Sequence, residues 1–249
     1  MEFQRVILCE GFHDRAFWKG MLLHRFRCAE MRTDPIGRSV REGQFGYCTP
    51  TGRFVRVVPM RGDTSLLLPE WRRLLQAREQ DPCPEVVILN CDRDCLATAT
   101  GVGSGGFSIA DLEREAKQIE GASATDTSGY VCMPTSWGRV KLGLLVWECA
   151  NPVDRLVPDK QSLERIVVAA LSQVDRSRAT IVREWLDRTP APAMPWFHKS
   201  FAWSHMAGWA AHHGCEFFYE RVWQDAATSS ALENQLGAGA FRLIQDVSQ

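Results

Sequence analysis

Short apolar runs and amphipathic segments alternate along this chain. Continuous aliphatic runs are typical of strands buried on both faces, whereas apolar residues that recur every three or four positions are typical of helices. The pattern predicts strands at 3–9, 54–58, 86–91 and 140–147, and helices at 13–27, 64–79, 108–119, 161–171, 178–187, 197–213 and 216–223. The polar stretch at 33–53 is predicted to form a loop or a hairpin, and a Gly-rich loop is predicted at 100–106.

The order of these elements predicts the fold class. Strand and helix alternate through residue 171, which indicates βαβ units and a mostly parallel sheet. We therefore expect a Rossmann-like α/β fold over residues 1–175, with helices flanking the sheet and an insertion at about 33–53. Residues 176–249 are predicted to form a helical C-terminal extension packed on that core.

Composition and charge change this picture little. The chain is 45% hydrophobic and 24% charged with a net charge of −1, so its overall charge identifies no partner. Nine cysteines without a repeated C-x-x-C spacing indicate neither a disulfide framework nor a standard zinc site. There is no signal-peptide pattern, and no apolar run approaches the roughly 20 residues needed to cross a bilayer. We expect a reduced, cytoplasmic protein that does not enter membranes.

Two acidic clusters close two of the predicted strands. Glu10 follows the first strand, and Asp92 and Asp94 follow the strand at 86–91. Because ligands bind at the carboxyl ends of the strands in open α/β sheets, we expect these side chains to meet at one edge, with Asp14 one helical turn beyond Glu10. Clustered carboxylates repel one another unless they are protonated or bound to cations, and oxygen ligands suit Mg²⁺ or Mn²⁺. The plainer alternative is a set of strand-end turns and helix-start acids, which the helix dipole favours.

The ordered pair of acidic motifs resembles the signature of the Toprim domain. That fold is shared by type IA and type II topoisomerases, bacterial primases, small maturation nucleases and OLD-family (overcoming lysogenization defect) nucleases. The resemblance covers roughly residues 3–171 and points to the OLD-like branch, through the Glu10-x-x-x-Asp14 spacing, the acidic segment at 158–164 and the lysine-bearing segment at 198–203. About 80 residues separate the two motifs, which implies the insertion at 33–53, and no P-loop is present, so the ATPase domain of full-length OLD proteins is absent.

The resemblance implies a site for two Mg²⁺ or Mn²⁺ ions. Two such ions activate the attacking water, neutralise charge and stabilise the leaving oxygen when a phosphodiester is cleaved. By resemblance, catalysis is assigned to Glu10, Asp92, Asp94 and Lys199, and metal binding to Glu10, Asp14, Asp92, Asp94, Glu164, Asp159 and Glu148. Lys199 would offset charge on the scissile phosphate or the leaving group. Helix capping is the alternative role for Asp159.

A basic stretch supplies candidates for contact with nucleic acid. Residues 25–61 contain eight arginines and three acidic residues, a net charge of +5. Arginine suits phosphate contacts, and we expect this stretch to flank the acidic edge, with Arg38, Arg41, Arg53 and Arg56 as the contact residues. An ordinary solvated surface explains the stretch at least as well, because arginine outnumbers lysine throughout the chain.

The function expected from these observations is a metal-dependent endonuclease or nickase, acting on DNA rather than RNA. Defence against phage or plasmid DNA, with an ATPase as a candidate partner protein, follows from analogy alone. One alternative is another Toprim phosphotransfer enzyme, an RNA-maturation nuclease or a primase-like protein; the missing zinc-binding module disfavours the primase. The other is a non-catalytic, nucleic-acid-binding regulatory subunit, which has no reason to keep four converging carboxylates.

Overall fold

The computed structural model describes residues 3–41, 43–76, 82–93, 114, 130–150, 156–157, 162–188 and 214–249. The predicted loop at 100–106 and the predicted helix at 197–213 lie outside these ranges. Of the predicted helix at 108–119, only residue 114 is described, and it is helical.

Seven strands in the described ranges form one sheet. They are β1 (Phe3–Cys9), β2 (Ala29–Met31), β3 (Phe45–Cys48), β4 (Phe54–Pro59), β5 (Cys83–Asp92), β6 (Tyr130–Thr135) and β7 (Gly138–Trp147). The strand order is β2-β3-β4-β1-β5-β7-β6. The four central strands, β4, β1, β5 and β7, are parallel, whereas β2, β3 and β6 pair antiparallel at the two sides. The predicted α/β fold with a mostly parallel sheet is thus confirmed.

Helices cover both faces of this sheet. They are α1 (Phe12–Gly20), α2 (Leu67–Leu75), α3 (Leu163–Val174), α4 (Arg176–Arg188), α5 (Gly214–Gln224), α6 (Ala226–Gln235) and α7 (Ala238–Ser248). A π-helical turn at Met21–Arg25 continues α1, and a 3₁₀ turn at Thr64–Leu66 leads into α2. None of the helices in the described ranges is long and apolar enough to cross a bilayer.

The central strands are buried on both faces, which is why they read as continuous apolar runs. In β1, Ile7 and Cys9 point into a core shared with α1, α3 and the C-terminal helices α5, α6 and α7. Val6 and Leu8 point the other way, into a second core shared with α2. We call these two faces of the sheet the α1 side and the α2 side.

The C-terminal helices are held close to the sheet by one tight helix crossing. A Cβ atom added to Gly20 would lie 2.6 Å from the backbone oxygen of Tyr219 and 2.8 Å from Cδ1 of Trp223. Phe17, one turn earlier in α1, packs its ring against Trp147 at the end of β7 and against Tyr219. This packing brings α5 over the start of α1, where the first acidic motif lies.

Three strands of the sheet were not among the predicted elements. The stretch at 33–53 was predicted as a loop or hairpin. It contains β3 and the loop of a hairpin, but the other strand of that hairpin, β2, lies entirely before it. All three residues of β2 are exposed, so backbone pairing alone makes it a strand and no apolar alternation marks it. The strand β6 pairs only with β7, at the opposite side of the sheet.

Candidate functional site

The two acidic motifs end neighbouring parallel strands. β1 and β5 pair in parallel register with Cys9 beside Asn90, so Glu10 and Asp92 emerge at the same edge of the sheet. The expectation that these two motifs meet at one edge is therefore confirmed for Glu10 and Asp92. Asp94, the second acid of its motif, lies outside the described residues.

Asp14 is buried in the first turn of α1 and is held by two hydrogen bonds. The Gly11 amide donates to Oδ2 at 3.0 Å, and the indole Nε1–H of Trp147 donates to Oδ1 at 2.7 Å. Burial is the main cause that raises the pKa of Asp14 to about 7, and the charges of Glu10 and Glu164 raise it further, against the lowering effect of the two hydrogen bonds. A nearby cation would favour the ionised form of a carboxyl group in this setting.

Asp92 is fixed by the start of another helix. Its Oδ1 accepts a hydrogen bond of 2.9 Å from the backbone N–H of Leu163, the first residue of α3. Burial raises the pKa of Asp92 well above its ordinary value, and the charges of Asp14, Glu164 and Glu10 add to this rise, while the hydrogen bond from Leu163 opposes it.

Glu164 completes the group from the first turn of α3, where it is only 4% exposed. Four carboxylates therefore share one region of electrostatic repulsion, and we call the group of Glu10, Asp14, Asp92 and Glu164 the acidic edge. The N-termini of α1 and α3 both open onto it, and their partial positive charges favour anions there.

The acidic edge meets the requirements of a divalent cation in its chemistry rather than in its present geometry. Within the described ranges, no three His, Cys, Asp or Glu side chains are arranged to hold one metal ion. Three of the four carboxylate oxygens of Asp14 and Asp92 already accept hydrogen bonds from the protein, which fixes where these side chains point. An all-oxygen donor set in which neighbouring charges help to raise the pKa of Asp14 and Asp92 is nevertheless the kind that suits Mg²⁺ or Mn²⁺.

Two aromatic residues at the acidic edge were not singled out by the sequence. Tyr219 of α5 lies with its hydroxyl 3.2 Å from Nδ1 of His13. Burial, followed by the charges of Glu164 and Asp14, raises the pKa of Tyr219 well above its ordinary value. Trp147 had one usable signal, its position at the end of a predicted strand, but Tyr219 looked like any core aromatic of an amphipathic helix.

Of the other predicted metal ligands, only Glu148 lies within the described residues. Glu148 follows β7 at the same edge but is exposed, and one of its carboxylate oxygens lies 3.9 Å from Nη1 of Arg93. Asp159 and Lys199 lie outside the described residues.

The arginines predicted to contact nucleic acid do not flank the acidic edge. Arg53 directly precedes β4, at the amino end of a parallel strand, and lies 3.8 Å from Glu85. Arg38, Arg41 and Arg56 line a cavity on the α2 side, because the hairpin loop folds back across that face of the sheet. The expectation that this stretch borders the carboxylates is therefore not met by these four residues. The end of the stretch does reach that edge, where the N–H groups of Met60 and Gly62 donate to the carbonyl oxygens of Cys9 and Glu10, each at 2.8 Å.

Comparison with known proteins supports the fold alone. No protein-family model matches the chain, and no curated protein matches it. Among solved structures, the chain is similar to a hypothetical protein from Pyrococcus horikoshii OT3, with a TM-score of 0.63 and 14% sequence identity over 100% of both chains. At that identity the match shows a shared architecture and carries no activity with it.

Proposed function

We propose that this chain is a divalent-metal-dependent nuclease that cleaves the phosphodiester backbone of nucleic acid. The observation that carries the proposal is the acidic edge, where two strand ends and two helix starts bring four carboxylates together. Burial, followed by the charges of Glu10 and Glu164, raises the pKa of Asp14 there to about 7. Such repulsion is costly unless protons or cations relieve it, and an open sheet edge is where substrates bind in α/β folds.

In the proposed site, the carboxylates at the strand ends would bind one metal ion and those at the helix starts would bind the other. Glu10 and Asp92 would hold one ion with Asp94, and Asp14 and Glu164 would hold the second, with Asp159 or Glu148 as a further ligand. When bound, two ions supply an activated water, charge neutralisation and a stabilised leaving oxygen. Lys199, by its resemblance to the lysine of small Toprim proteins, would offset charge on the phosphate or the leaving group.

The hydrogen bonds of the chain give two of these carboxylates fixed orientations. Trp147 and the Gly11 amide hold both oxygens of Asp14, and the Leu163 amide holds one oxygen of Asp92. Each of these oxygens keeps a second lone pair for a cation. Side chains locked in this way lose little conformational entropy when a metal binds.

Gly11 lies at the acidic edge in a position that would tolerate a side chain. A Cβ atom at this position would have no neighbour nearer than 3.7 Å, and its φ of −148° is open to any residue. Neither packing nor backbone conformation therefore requires glycine here. Close approach of a phosphate group to the backbone is a reason for glycine that lies outside the protein itself.

The finer parts of the proposal rest on the Toprim resemblance. They are DNA rather than RNA as the substrate, an ATPase as a candidate partner, a cytoplasmic location and a role in defence against foreign DNA. An RNA-maturation nuclease or a primase-like enzyme would use the same carboxylates. The substrate distinguishes the first, and the reaction distinguishes the second, because a primase-like enzyme would join nucleoside triphosphates and release pyrophosphate instead of hydrolysing a phosphodiester.

A second candidate function is a non-catalytic, nucleic-acid-binding regulatory subunit. One observation favours it: within the part of the chain that the structure describes, no three potential ligands are placed for one metal ion. A binding-only protein would show affinity for nucleic acid without metal-dependent cleavage, and its binding would survive neutral substitutions at the acidic edge.

One experiment separates these possibilities. Purified protein is incubated with supercoiled plasmid, linear duplex, single-stranded DNA and RNA, in Mg²⁺, in Mn²⁺ and in a chelator. We expect metal-dependent cleavage that Glu10→Gln and Asp92→Asn each reduce at least about 100-fold, since a lost ligand removes several kcal/mol of transition-state stabilisation. The control is Glu233→Gln, a carboxylate on α6 that pairs with Arg25. Cleavage at the wild-type rate in both acidic-edge variants would assign the activity to another site or to a contaminant.

A further inference from the structure

A second cavity lies away from the acidic edge, on the α2 side of the sheet. Its volume is about 130 Å³. The side chains that matter for its chemistry are Gln4, Asp34, Arg38, Arg41, Arg56 and Arg73. They come from β1, β4, α2 and the hairpin loop, so the cavity exists only where these elements meet. We call it the basic cavity.

Two carboxylates among the described residues offset part of the charge of the basic cavity. Nε of Arg38 lies 3.1 Å from Oδ2 of Asp34, and Arg73 forms two hydrogen bonds of 2.8 and 2.6 Å with Glu70 beside it on α2. Together with Arg41 and Arg56, the two ion pairs make a set of four arginines and two carboxylates, with a net charge of +2. This positive charge would balance that of a phosphate monoester, which carries roughly −1.5 to −2 near neutral pH.

Arg56 is the innermost of the four arginines. Its guanidinium donates a hydrogen bond to Oε1 of Gln4, which is itself 3% exposed and donates through Nε2 to the Pro82 carbonyl at 2.7 Å. A half-buried charge whose hydrogen-bond partner is a neutral amide is costly, and a bound anion would reduce that cost. Burial lowers the pKa of Arg56; the charge of Asp34 opposes this shift, and the guanidiniums of Arg38 and Arg41 add to it.

The outer wall of the basic cavity is formed in advance by the hairpin loop. Oδ1 of Asp34 accepts hydrogen bonds from the backbone amides of Ile36 and Arg38, at 3.1 and 2.9 Å. Thr33 and Ser39 form a backbone bridge across the base of this turn, and Gly37 takes the left-handed φ of +80° that closes it. A wall built by its own hydrogen bonds needs little reordering when a ligand enters.

We propose that the basic cavity binds the phosphate group of a small phosphorylated compound, at a site separate from the acidic edge. Guanidiniums that reach one point from a strand, a helix and a loop match a group with several oxygens better than they match a planar carboxylate. A cavity of about 130 Å³ accommodates a group of phosphate size. Its walls include the amino-terminal half of β1 and the residue before β5, so its ligand is not the phosphodiester at the opposite edge.

The test is a binding measurement with metal chelated, so that its result does not depend on the nuclease proposal. Inorganic phosphate, pyrophosphate, AMP and ATP are titrated up to about 10 mM against the full chain, at ionic strength matched with chloride, by calorimetry and by thermal unfolding. A ligand that binds only the folded state raises the melting temperature with its concentration. We expect a saturable rise with at least one of these anions.

Substitutions locate the site. Arg41→Gln changes an exposed side chain, and Arg56→Gln changes the innermost one; each is expected to weaken binding at least about tenfold, because each removes charged hydrogen bonds to the anion. The matched control is Arg53→Gln, which lies in the same basic stretch but outside the cavity, and it should bind as the wild type does. Arg41→Gln keeps the test informative if Arg56→Gln does not fold.

Three results would overturn the proposal. The first is no saturable binding of any of the four anions, and the second is unchanged affinity in Arg41→Gln. The third comes from a 5′-phosphorylated oligonucleotide run beside its unphosphorylated twin. If only oligonucleotides bind, and Arg41→Gln weakens that binding, the arginines belong to a nucleic-acid surface rather than to a small-ligand site.

Discussion

The acidic edge and the basic cavity lie on the same sheet, but different parts of the fold produce them. The carboxylates come from the ends of adjacent parallel strands and from helix starts that the strand order brings together. The arginines come from a hairpin loop, the middle of β4 and the last turn of α2, and two of the four pair with a nearby carboxylate. Like charges at the acidic edge are thus held together by the topology itself, whereas those of the basic cavity are offset locally.

This difference has a consequence for stability. Where topology holds like charges together, the folded state carries an electrostatic cost that a bound cation removes. Where local carboxylates offset part of the charge, as in the basic cavity, the folded state carries a smaller electrostatic cost, and a bound anion adds stability in proportion to its concentration and affinity. The acidic edge should therefore dominate the dependence of this protein on pH and on divalent metal.

The largest expected effect is a loss of stability as pH rises in the absence of metal. The pKa of Asp14 is raised from 3.8 to about 7, so between these values the folded state binds more protons than the unfolded state. Stability therefore falls as pH rises from about 4 to 7, by roughly 2–4 kcal/mol from this group. Denaturant unfolding in chelator at pH 5 and pH 8 measures the change.

Two controls decide whether the acidic edge causes that loss. Asp14→Asn should flatten the pH dependence, whereas Asp187→Asn, an exposed aspartate on α4 that pairs with Arg183, should not. Mg²⁺ or Mn²⁺ should restore stability at pH 8 and have little effect at pH 5. A slope that Asp14→Asn leaves unchanged would place its origin elsewhere in the chain.

A second prediction concerns the helix crossing that seats α5 over the acidic edge. Gly20→Ala places a Cβ atom 2.6 Å from the backbone of Tyr219, so α1 and α5 must move apart, at a cost of about 1–3 kcal/mol. The matched control is Gly239→Ala in α7, where a Cβ atom meets nothing within 4 Å and helix propensity improves stability by about 0.5–1 kcal/mol. Thermal unfolding measures both, and equal effects would contradict the tight crossing.

A third prediction compares a tryptophan on each side of the sheet. Trp147→Phe removes the hydrogen bond to Asp14, and we expect a cost of about 1–3 kcal/mol at pH 8, where that carboxylate is charged, and less at pH 5. The control is Trp71→Phe on the α2 side, which changes side-chain size by the same amount. The buried indole Nε1–H of Trp71 has no hydrogen-bond partner among the described residues, so no such bond is lost. Only Trp147→Phe should show a cost that depends on pH, measured by denaturant unfolding.

The smallest effect on stability, within about 0.5 kcal/mol, is expected for Gly11→Ala, because a Cβ atom there meets only ordinary contacts. Its effect on cleavage should be much larger, since the methyl group occupies space proposed for the phosphate. Cleavage rate and melting temperature are compared in the same preparation. Wild-type cleavage by Gly11→Ala would show that this space is not used.

The strand cores and their acidic ends could be predicted from local sequence. The apolar runs at 3–9, 86–91 and 140–147 became β1, β5 and β7, and the parallel arrangement followed from the alternation of strands with helices. Short edge strands such as β2 could not be found in this way, because their residues are exposed and only the partner strand makes them strands. The helix predicted at 13–27 ends its α-helical part at Gly20, before the π-helical turn.

The sequence by itself determined that Glu10 and Asp92 would end buried parallel strands, because a continuous apolar run followed by acids has few other structural solutions. The tertiary structure decided which distant side chains contact the residues at the acidic edge. Trp147 is 133 residues from Asp14, and Tyr219 is 206 residues from His13. It also decided that Arg38, Arg41 and Arg56 line a cavity on the α2 side, while the end of the same basic stretch reaches the acidic edge, where the Gly62 N–H donates to the Glu10 carbonyl. Local periodicity reports which face of an element is buried, whereas the packing of distant elements determines what that face meets.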